Sequence, residues 1–372
     1  MRITDVRTAV VTHRYDGTAR NTRHAWKGKT YLLVAVETDA GISGLGEVYC
    51  DGEGSPKVLQ AILHEEVAPH IKGEDPRCIE RIRGKLSERS VLSGRAAATT
   101  VAMAGVDIAL WDLLGKITGQ PTYRLLGGHS DRASVYGSGG MYGPGLTPDH
   151  LAEAMSDAMR SGVAGVKIKA AGASLDEDVA RVAAVREAVG SARLMVDAMF
   201  APTVPEAVRL ARALEPFGLH FLEAPTSAAD LRGWETVRRA TSIPLAGPEL
   251  EGSANVMRDF ILADAVHFLQ FDIVLAGGLS QGRDLAALAR AFHRPITLHC
   301  AASAVGLAAS AHLAAAVPNC DSLELHLMHR GLHERLWASG WRLDDGDLVI
   351  PDRPGLGVEL DLDDLARLEE AA

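Results

Sequence analysis

The segment GVKIKAAGASLDEDVARVAAVREAVGSARLMVDA (165–198) joins two short apolar runs through one amphipathic stretch. The runs GVKIKA and RLMVDA are typical of buried strands, and the stretch between them has the pattern of a surface helix. Such a strand–helix–strand unit is typical of parallel pairing. The fold is therefore predicted to contain at least one βα unit of a parallel sheet.

The same unit repeats on both sides of this segment. Between residues 126 and 330, six further apolar runs alternate with helix-like stretches, and these runs are ASVYGSG (133–139), HFLEAP (220–225), IPLAGPE (243–249), AVHFLQFD (265–272), ITLHC (296–300) and SLELH (322–326). Eight strands in this alternation predict a closed parallel (β/α) barrel. No GxGxxG or GxxxxGK[ST] motif follows a strand, which disfavours nucleotide binding.

The region before the barrel has a different texture. Residues 1–60 alternate apolar and polar positions around a turn at Asp39-Ala-Gly41, and helical patterns follow at 57–67 and 76–86. Segment 96–119 is apolar almost all round but contains Asp107 and Asp112, which predicts a buried helix and not a membrane span. We predict an α+β capping domain over 1–125 and a C-terminal segment, 331–372, that packs back on it.

Composition excludes several classes of protein. The chain has 372 residues, 47% hydrophobic and 23% charged, with a net charge of −10. Scattered arginines and an acidic balance argue against nucleic acid and anionic membranes as partners. The N-terminus lacks the apolar core of a signal peptide, and four cysteines without a CxxC pair favour reduced thiols. A cytoplasmic protein is predicted.

In such a barrel the active site lies where the strands end. Charged or titratable residues end six consecutive runs after Lys169, at successive intervals of 28, 26, 26, 23, 27 and 25 residues, and they are Asp197, Glu223, Glu249, Asp272, His299 and Glu324. One such residue could be chance, but six in register predict a site.

Asp197, Glu223 and Glu249 end three adjacent strands, so their carboxylates can converge. Three oxygen ligands without cysteine or histidine favour Mg²⁺ over zinc. Each residue alone is better explained as a solvated acid, and it is the three in register that predict a metal site.

Lys167 and Lys169 are two positions apart on one strand, so both face the same side. Each ammonium is expected to lower the pKa of the other toward that of a usable base. The chain has eight lysines against thirty arginines, and none follows Lys169. Lysine inside an apolar run therefore favours a titrating group over a surface charge.

Asp272 and His299 end neighbouring strands, where the carboxylate can orient the imidazole for proton transfer. Removing a proton beside a carboxylate builds charge on the carboxylate oxygens, and Mg²⁺ with Lys167 would stabilise that enediolate. Lys169 or His299 would take the proton. Glu324 is predicted to hydrogen-bond the substrate, and a buried core histidine is the alternative for His299.

Together these residues resemble the mandelate racemase / muconate lactonizing enzyme family of the enolase superfamily, in the mandelate racemase subgroup. The segment VDIALWDLLGKITGQPTYRLLGG (106–128) is similar to the family's signature helix. The resemblance covers nearly the whole chain and implies a modified (β/α)7β barrel, Mg²⁺, a small-molecule carboxylate substrate, a homo-oligomer, and mobile capping loops near 20–30 and 50–55. Met199 and Pro248 stand where many relatives carry Asn and Gly.

The resemblance leaves the reaction open. Without a lysine after Lys169, the second-lysine base of the muconate lactonizing and dipeptide epimerase relatives is missing. Lys169 opposite His299 is compatible with dehydration of a sugar acid to a 2-keto-3-deoxy acid, which we favour, or with racemisation of a 2-hydroxy acid. Arg20, Arg23 and His24 in the cap suit a hydroxylated or dianionic substrate, with His24 as the substrate-binding candidate, and solvated loop charges are the alternative for all three. A catalytically silent binding protein is the alternative from another class.

Overall fold

The N-terminal region forms an antiparallel meander in the computed structural model of the protein, which describes residues 1–50, 56–90, 97–143, 145–360 and 362. Its strands are β1 (Ile3–Arg20), β2 (Ala25–Thr38) and β3 (Ser43–Val48). The predicted turn joins β2 to β3, where Gly41 takes a φ of +71° and donates its N–H to the Thr38 carbonyl. The predicted loop at 20–30 is the tip and returning strand of the β1–β2 hairpin.

Helices pack on one face of this meander. The series begins with α1 (Pro56–Ala61), which continues as a π-helical turn (Ile62–Val67) into α2 (Ala68–Ile71), and it goes on with α3 (Ile79–Ser90), α4 (Ala97–Thr118) and α5 (Thr122–Leu126). Residues 98–118 are long and apolar enough to cross a membrane, but 72% of the apolar window is buried inside the protein. A Cβ on Gly46 of β3 would lie 1.9 Å from the Gly105 carbonyl oxygen, so glycine permits the close approach of β3 to α4.

Eight parallel strands close into a barrel, because the last of them, β11, pairs with the first, β4. The strands are β4 (Arg132–Ser138), β5 (Gly165–Lys169), β6 (Arg193–Asp197), β7 (Phe221–Glu223), β8 (Leu245–Gly247), β9 (Phe268–Phe271), β10 (Ile296–Leu298) and β11 (Cys320–His326). The connecting helices are α6 (Pro148–Arg160), α7 (Leu175–Val189), α8 (Val204–Leu214), α9 (Leu231–Ala240), α10 (Ala254–Leu262), α11 (Gly278–Ala291) and α12 (Ala304–Ala316). Strand and helix alternate from β4 to β11, which confirms the predicted (β/α)7β barrel.

The chain after the barrel returns to both parts of the molecule. A 3-10 segment (Leu327–His333) leads to α13 (Glu334–Ala338) and a hairpin of β12 (Arg342–Asp344) and β13 (Asp347–Val349). Strand β13 pairs antiparallel with β4, and the Leu356 N–H donates to Asp112 of α4 at 2.7 Å. The tail thus contacts barrel and cap, while the domain boundaries predicted at 125 and 330 stay predictions.

An apolar layer fills the barrel below the strand ends. Tyr136, Met195, Phe221, Ala246 and Phe268 form one buried cluster. Because strand side chains alternate, the next inward position on β6 and β7 is the carboxylate at the strand end. This apolar layer therefore places the polar residues at the mouth of the barrel and keeps water from reaching them from the opposite end.

Candidate active site

Register places the strand-end side chains next to one another. Lys169 pairs in register with Asp197, and Asp197 with Glu223. These three residues and Lys167 are all buried, with Lys167, Asp197 and Glu223 at 0% exposed. The sequence pattern thus converges, as predicted, on one buried polar mouth.

The three predicted metal-ligating carboxylates come together. One oxygen from each of Asp197, Glu223 and Glu249 lies within 4.8 Å of the others. Within the described part of the chain, neither oxygen of Glu249 has a hydrogen-bond partner, although Glu249 is 1% exposed. Burial, followed by repulsion from Glu223 and Asp197, raises the pKa of Glu249 well above its usual value. Unpartnered buried oxygens beside two more carboxylates fit a hard divalent cation.

The two lysines form ion pairs with two of these acids. The Lys167 ammonium donates to both oxygens of Glu223 at 2.7 Å and lies 3.2 Å from Glu324, above the ring of Tyr136. Lys169 donates to Asp197. The expected lowering of a lysine pKa is wrong for this structure. Burial disfavours both charges, but the carboxylates outweigh it and raise the pKa of Lys167 and of Lys169, because each ammonium faces acids more closely than it faces the other lysine.

Asp272 and His299 form the predicted pair. Nδ1 of His299 lies 2.7 Å from Asp272, which also accepts the Val274 N–H at 3.0 Å. Nε2 therefore points to the mouth, 3.5 Å from Glu249. Burial opposes protonation, but Glu324 and Asp272 outweigh it and raise the pKa of His299 above its usual value. The dyad can hold or release a proton at Nε2.

A cavity of about 140 Å³ lies between the cap and the mouth. Lys169, Glu249 and His299 line it from the barrel, and Arg23 and His24 line it from the cap. Lys167 and Glu324, which the sequence placed at the substrate, lie beneath this wall at 0% exposed, so their contact with substrate stays a prediction. The loop predicted near 50–55 falls on residues 51–55, outside the described residues.

Two lining histidines and one glutamine were missed from the sequence. His326 and His329 line the same cavity, and the Gln270 amide donates to Glu223 at 2.7 Å. Gln270 stands two positions before Asp272, and apolar residues of β9 flank it on both sides. The recurrence of histidine in LHLMHRGLH (325–333) was the one available pattern for the other two.

The cap is tied to the strand that carries Lys169. The Tyr142 N–H donates to the Arg20 carbonyl at 2.7 Å, and the Thr22 hydroxyl donates to the Ala170 carbonyl at 2.8 Å. Arg20 itself reaches the Gly172 carbonyl at 3.4 Å. Because Ala170 directly follows Lys169, the hairpin tip is hydrogen-bonded to the backbone next to the lysine.

The two departures from the family pattern leave the acids in place. The Met199 N–H donates to Asp197 at 2.7 Å, with Met199 at a φ of +52°, so the main chain supports this carboxylate. Glu249 reaches the other two carboxylates although Pro248 precedes it.

Comparison with known proteins matches both parts of the chain. Residues 3–127 match the mandelate racemase / muconate lactonizing enzyme N-terminal domain, and residues 150–365 match the enolase C-terminal domain-like family. An arabinonate dehydratase of Saccharolobus solfataricus is 31% identical over 88% of each chain, and a D-galactarolactone cycloisomerase of Agrobacterium fabrum is 32% identical over 98% of each. A crystal structure of a racemase from Streptomyces coelicolor with bound magnesium superposes with a TM-score of 0.90 at 31% identity, covering 98% of this chain and 99% of that one.

Proposed function

Because the chain belongs to the mandelate racemase / muconate lactonizing enzyme family of the enolase superfamily, we propose that it is a Mg²⁺-dependent lyase acting on a sugar acid. The reaction removes the α-proton and the β-hydroxyl and yields a 2-keto-3-deoxy acid. Sugar-acid dehydratases among the relatives support this choice of reaction. The observation that carries it is that Lys169, His299 and the metal ligand Glu249 line one cavity.

Asp197, Glu223 and Glu249 would hold the cation, since their donor set contains oxygen only and Glu249 has two unpartnered oxygens. When bound, Mg²⁺ offsets the negative charge of these acids and of the substrate carboxylate. Lys167 holds the carboxylate of Glu223 through two hydrogen bonds and so fixes its orientation. A magnesium-bound structural relative supports the choice of metal.

Lys169 and His299 divide the proton transfers. Asp197 holds Lys169 as an ammonium in this structure, and once the cation offsets that carboxylate the amine of Lys169 would take the α-proton, so that the Cα–H bond breaks and its electrons form the enediolate. His299, oriented by Asp272 at Nδ1, donates a proton from Nε2 to the β-hydroxyl as the Cβ–O bond breaks and water leaves. The resulting enol takes up a proton at Cβ, loses the proton of its enol oxygen and so becomes the 2-keto acid. Burial of both groups keeps bulk water from competing for these protons.

Racemisation of a 2-hydroxy acid is the second candidate. It needs the same two groups, with His299 returning a proton to the α-carbon instead of expelling a hydroxyl. The relative described as a racemase supports it. A silent binding protein is disfavoured, because the residues of the triad, the base and the dyad are all in place.

The test is an incubation of the purified protein and Mg²⁺ with a panel of aldonic and aldaric acids. We expect 2-keto acid to form, together with deuterium uptake at the α-carbon of remaining substrate in D₂O. Exchange without keto acid would select racemisation. The proposal is overturned if protein that calorimetry shows to bind Mg²⁺ neither forms 2-keto acid nor exchanges the α-proton with any of these acids.

We also propose a cytoplasmic homo-oligomer. All four cysteines are free thiols, in keeping with a reducing compartment. Light scattering of the purified protein measures the subunit number directly, and a monomer at all concentrations would refute the oligomer.

A further inference from the structure

The backbone that follows β5 has an unusual conformation. Strand β5 ends at Lys169, so Ala170, Ala171 and Gly172 lie beyond the regular strand. Ala171 takes a φ of +63°, in the left-handed region that residues other than glycine seldom adopt. Such a conformation costs free energy and persists only where the surrounding structure holds it. The partners of this backbone therefore decide its conformation.

Two buried side chains provide these partners. Asp178 of α7 accepts the Ala171 N–H at 2.7 Å, and the Tyr142 hydroxyl accepts the Gly172 N–H at 3.0 Å. Tyr142 in turn donates its hydroxyl proton to the other oxygen of Asp178 at 2.5 Å. The two N–H groups and the two side chains thus close one ring of hydrogen bonds, and this backbone cannot shift without lengthening at least one of them.

Tyr142 is itself held in place. A Cβ on Gly172 would lie 2.4 Å from a ring carbon of Tyr142, so glycine permits the backbone to lie against the ring. The guanidinium of Arg181 lies 4.2 Å from the ring centroid and donates to the Gly140 carbonyl at 2.7 Å. Burial, followed by the bond to Asp178, raises the pKa of Tyr142 above its usual value. The hydroxyl therefore stays protonated as a donor to Asp178.

This ring of hydrogen bonds lies directly beside the proposed base. The Lys169 carbonyl is 3.4 Å from the Tyr142 hydroxyl, whose one proton is already given to the closer Asp178. The Ala170 N–H donates to the Asp197 carbonyl at 2.9 Å. The main chain of Lys169 is thus fixed by its neighbours on β6 and α7 and in the loop after β4.

We propose that Tyr142 and Asp178 are positioning residues for Lys169, which hold the backbone after β5 so that the amine meets the α-carbon of the substrate. Neither is among the described residues that line the cavity, so their effect passes through Lys169. The inference rests on the proposed role of Lys169 as the base. It holds for dehydration and racemisation alike, because both begin with removal of the α-proton.

The experiment uses the aldonic or aldaric acid that wild type converts fastest, with protium or deuterium at the α-carbon. Tyr142→Phe keeps the ring and removes the hydroxyl, so kcat should fall by about 10- to 100-fold, the usual result of a slightly misplaced catalytic group. KM should stay within about threefold, because the groups that bind the substrate are unchanged. The isotope effect on kcat should be at least as large as in wild type, since the slowed step breaks the Cα–H bond.

Substitutions at Asp178 test the other half of the network. Asp178→Ala removes both acceptors and should lower kcat at least as much as Tyr142→Phe. Asp178→Asn should restore part of the loss, because its amide oxygen still accepts the Ala171 N–H. The matched control is Asp112→Asn in the cap, where a buried aspartate also accepts two main-chain N–H groups, those of Leu45 and Leu356, each at 2.7 Å. It should lower the unfolding temperature and leave kcat and the isotope effect unchanged.

The outcomes separate this inference from the proposed function. An active wild type with a folded Tyr142→Phe variant of unchanged kcat overturns the positioning role alone. An isotope effect that falls toward one overturns it as well, because a step other than α-proton removal has then become slow. A wild type that neither forms keto acid nor exchanges the α-proton removes the proposed function and this inference with it. If Asp178→Ala fails to fold, as judged by thermal unfolding, Tyr142→Phe and Asp178→Asn decide.

Discussion

Two sets of buried carboxylates differ in how the protein satisfies them. At the contact of the cap with the barrel, which we call the seam, Glu47 accepts the Ser303 N–H, the Ser303 hydroxyl and the Gly306 N–H at 2.9, 2.5 and 2.8 Å. Asp107, also in the seam, accepts the N–H and hydroxyl of Ser280 at 2.9 and 2.5 Å. In the barrel mouth, Glu249 accepts no hydrogen bond from the described residues.

This contrast separates a structural acid from a functional one. A seam acid has main-chain N–H partners whose positions the fold already fixes, so its burial is compensated in part in the absence of any ligand. A mouth acid faces lysines and other acids, so its burial is compensated in full only when a cation arrives. Burial alone does not separate the two kinds of acid, whereas the presence or absence of hydrogen-bond partners for the buried oxygens does.

The strongest test of the contrast removes the proton-transfer groups of the mouth. Lys169→Ala and His299→Asn should each lower kcat by at least about 10²- to 10⁴-fold, the usual contribution of a general acid or base. The matched control is Lys116→Ala, since Lys116 pairs with the buried Asp112 in the cap at 2.7 Å. It should lower the unfolding temperature and leave kcat within about threefold. Steady-state kinetics and calorimetric unfolding measure both, and full activity in either mouth variant would refute the assignment.

A smaller effect is expected from the residue that orients His299. Asp272→Asn keeps the shape but replaces the charged carboxylate with a neutral amide, which no longer fixes the Nδ1–H tautomer, so kcat should fall by about 10- to 10³-fold. It should also lower the pKa of His299, because Asp272 is one of the groups that raise it. The ¹H–¹⁵N spectrum of the imidazole reports both the tautomer and the pKa of His299. An unaltered His299 titration would show that Asp272 neither orients the ring nor raises its pKa.

The metal site gives the third test. Glu249→Gln should weaken Mg²⁺ binding by about 10- to 100-fold in titration calorimetry, because a charged ligand becomes a neutral one. It should leave the unfolding temperature of the metal-free protein unchanged or raised, since it removes a buried negative charge whose oxygens accept no hydrogen bond from the described residues. Glu47→Gln, its counterpart in the seam, should lower the unfolding temperature of the metal-free protein and leave Mg²⁺ binding unchanged. Equal losses of stability in the two variants would erase the distinction.

The smallest effect is a pH dependence that arises in the seam. Burial raises the pKa of Glu47 to about 7 from an ordinary value of 4.5, against the opposing hydrogen bonds from Ser303 and Gly306. Between these values the folded state binds more protons than the unfolded state, so this group's stabilisation is complete below pH 4.5 and is lost as pH rises through 7.

Glu47→Gln should therefore flatten the wild-type fall in the free energy of unfolding between pH 4.5 and 7, by up to about 3 kcal/mol. Denaturant unfolding at several pH values, without Mg²⁺, measures the slope. A variant with the wild-type slope would mean that Glu47 does not titrate in this range.

The sequence predicted the barrel and the mouth because both follow from short-range rules. Strand periodicity places Lys167 and Lys169 on one face, and regular βα spacing brings Asp197, Glu223 and Glu249 to one rim. These relations hold whatever the cap does.

Features that depend on how separate elements dock were out of reach. His329 reaches the cavity because the 3-10 segment that follows β11 turns under the cap, and no periodicity encodes that turn. The lysine pKa was predicted in the wrong direction for a similar reason. The prediction counted only the charge of the neighbouring Lys167, whereas the field at Lys169 sums over acids from several strands.

The tie between the hairpin tip and the lysine strand bears on how such enzymes can be recombined. The Thr22 hydroxyl of the tip donates to the Ala170 carbonyl, and Ala170 directly follows Lys169. The Arg20 carbonyl accepts the Tyr142 N–H from the loop that follows β4. A chimera that exchanged only the first 125 residues with those of a relative would sever these bonds unless the donor carried a matching tip. Cap and barrel therefore have to be exchanged together, and substitutions in the hairpin are constrained by the placement of the base.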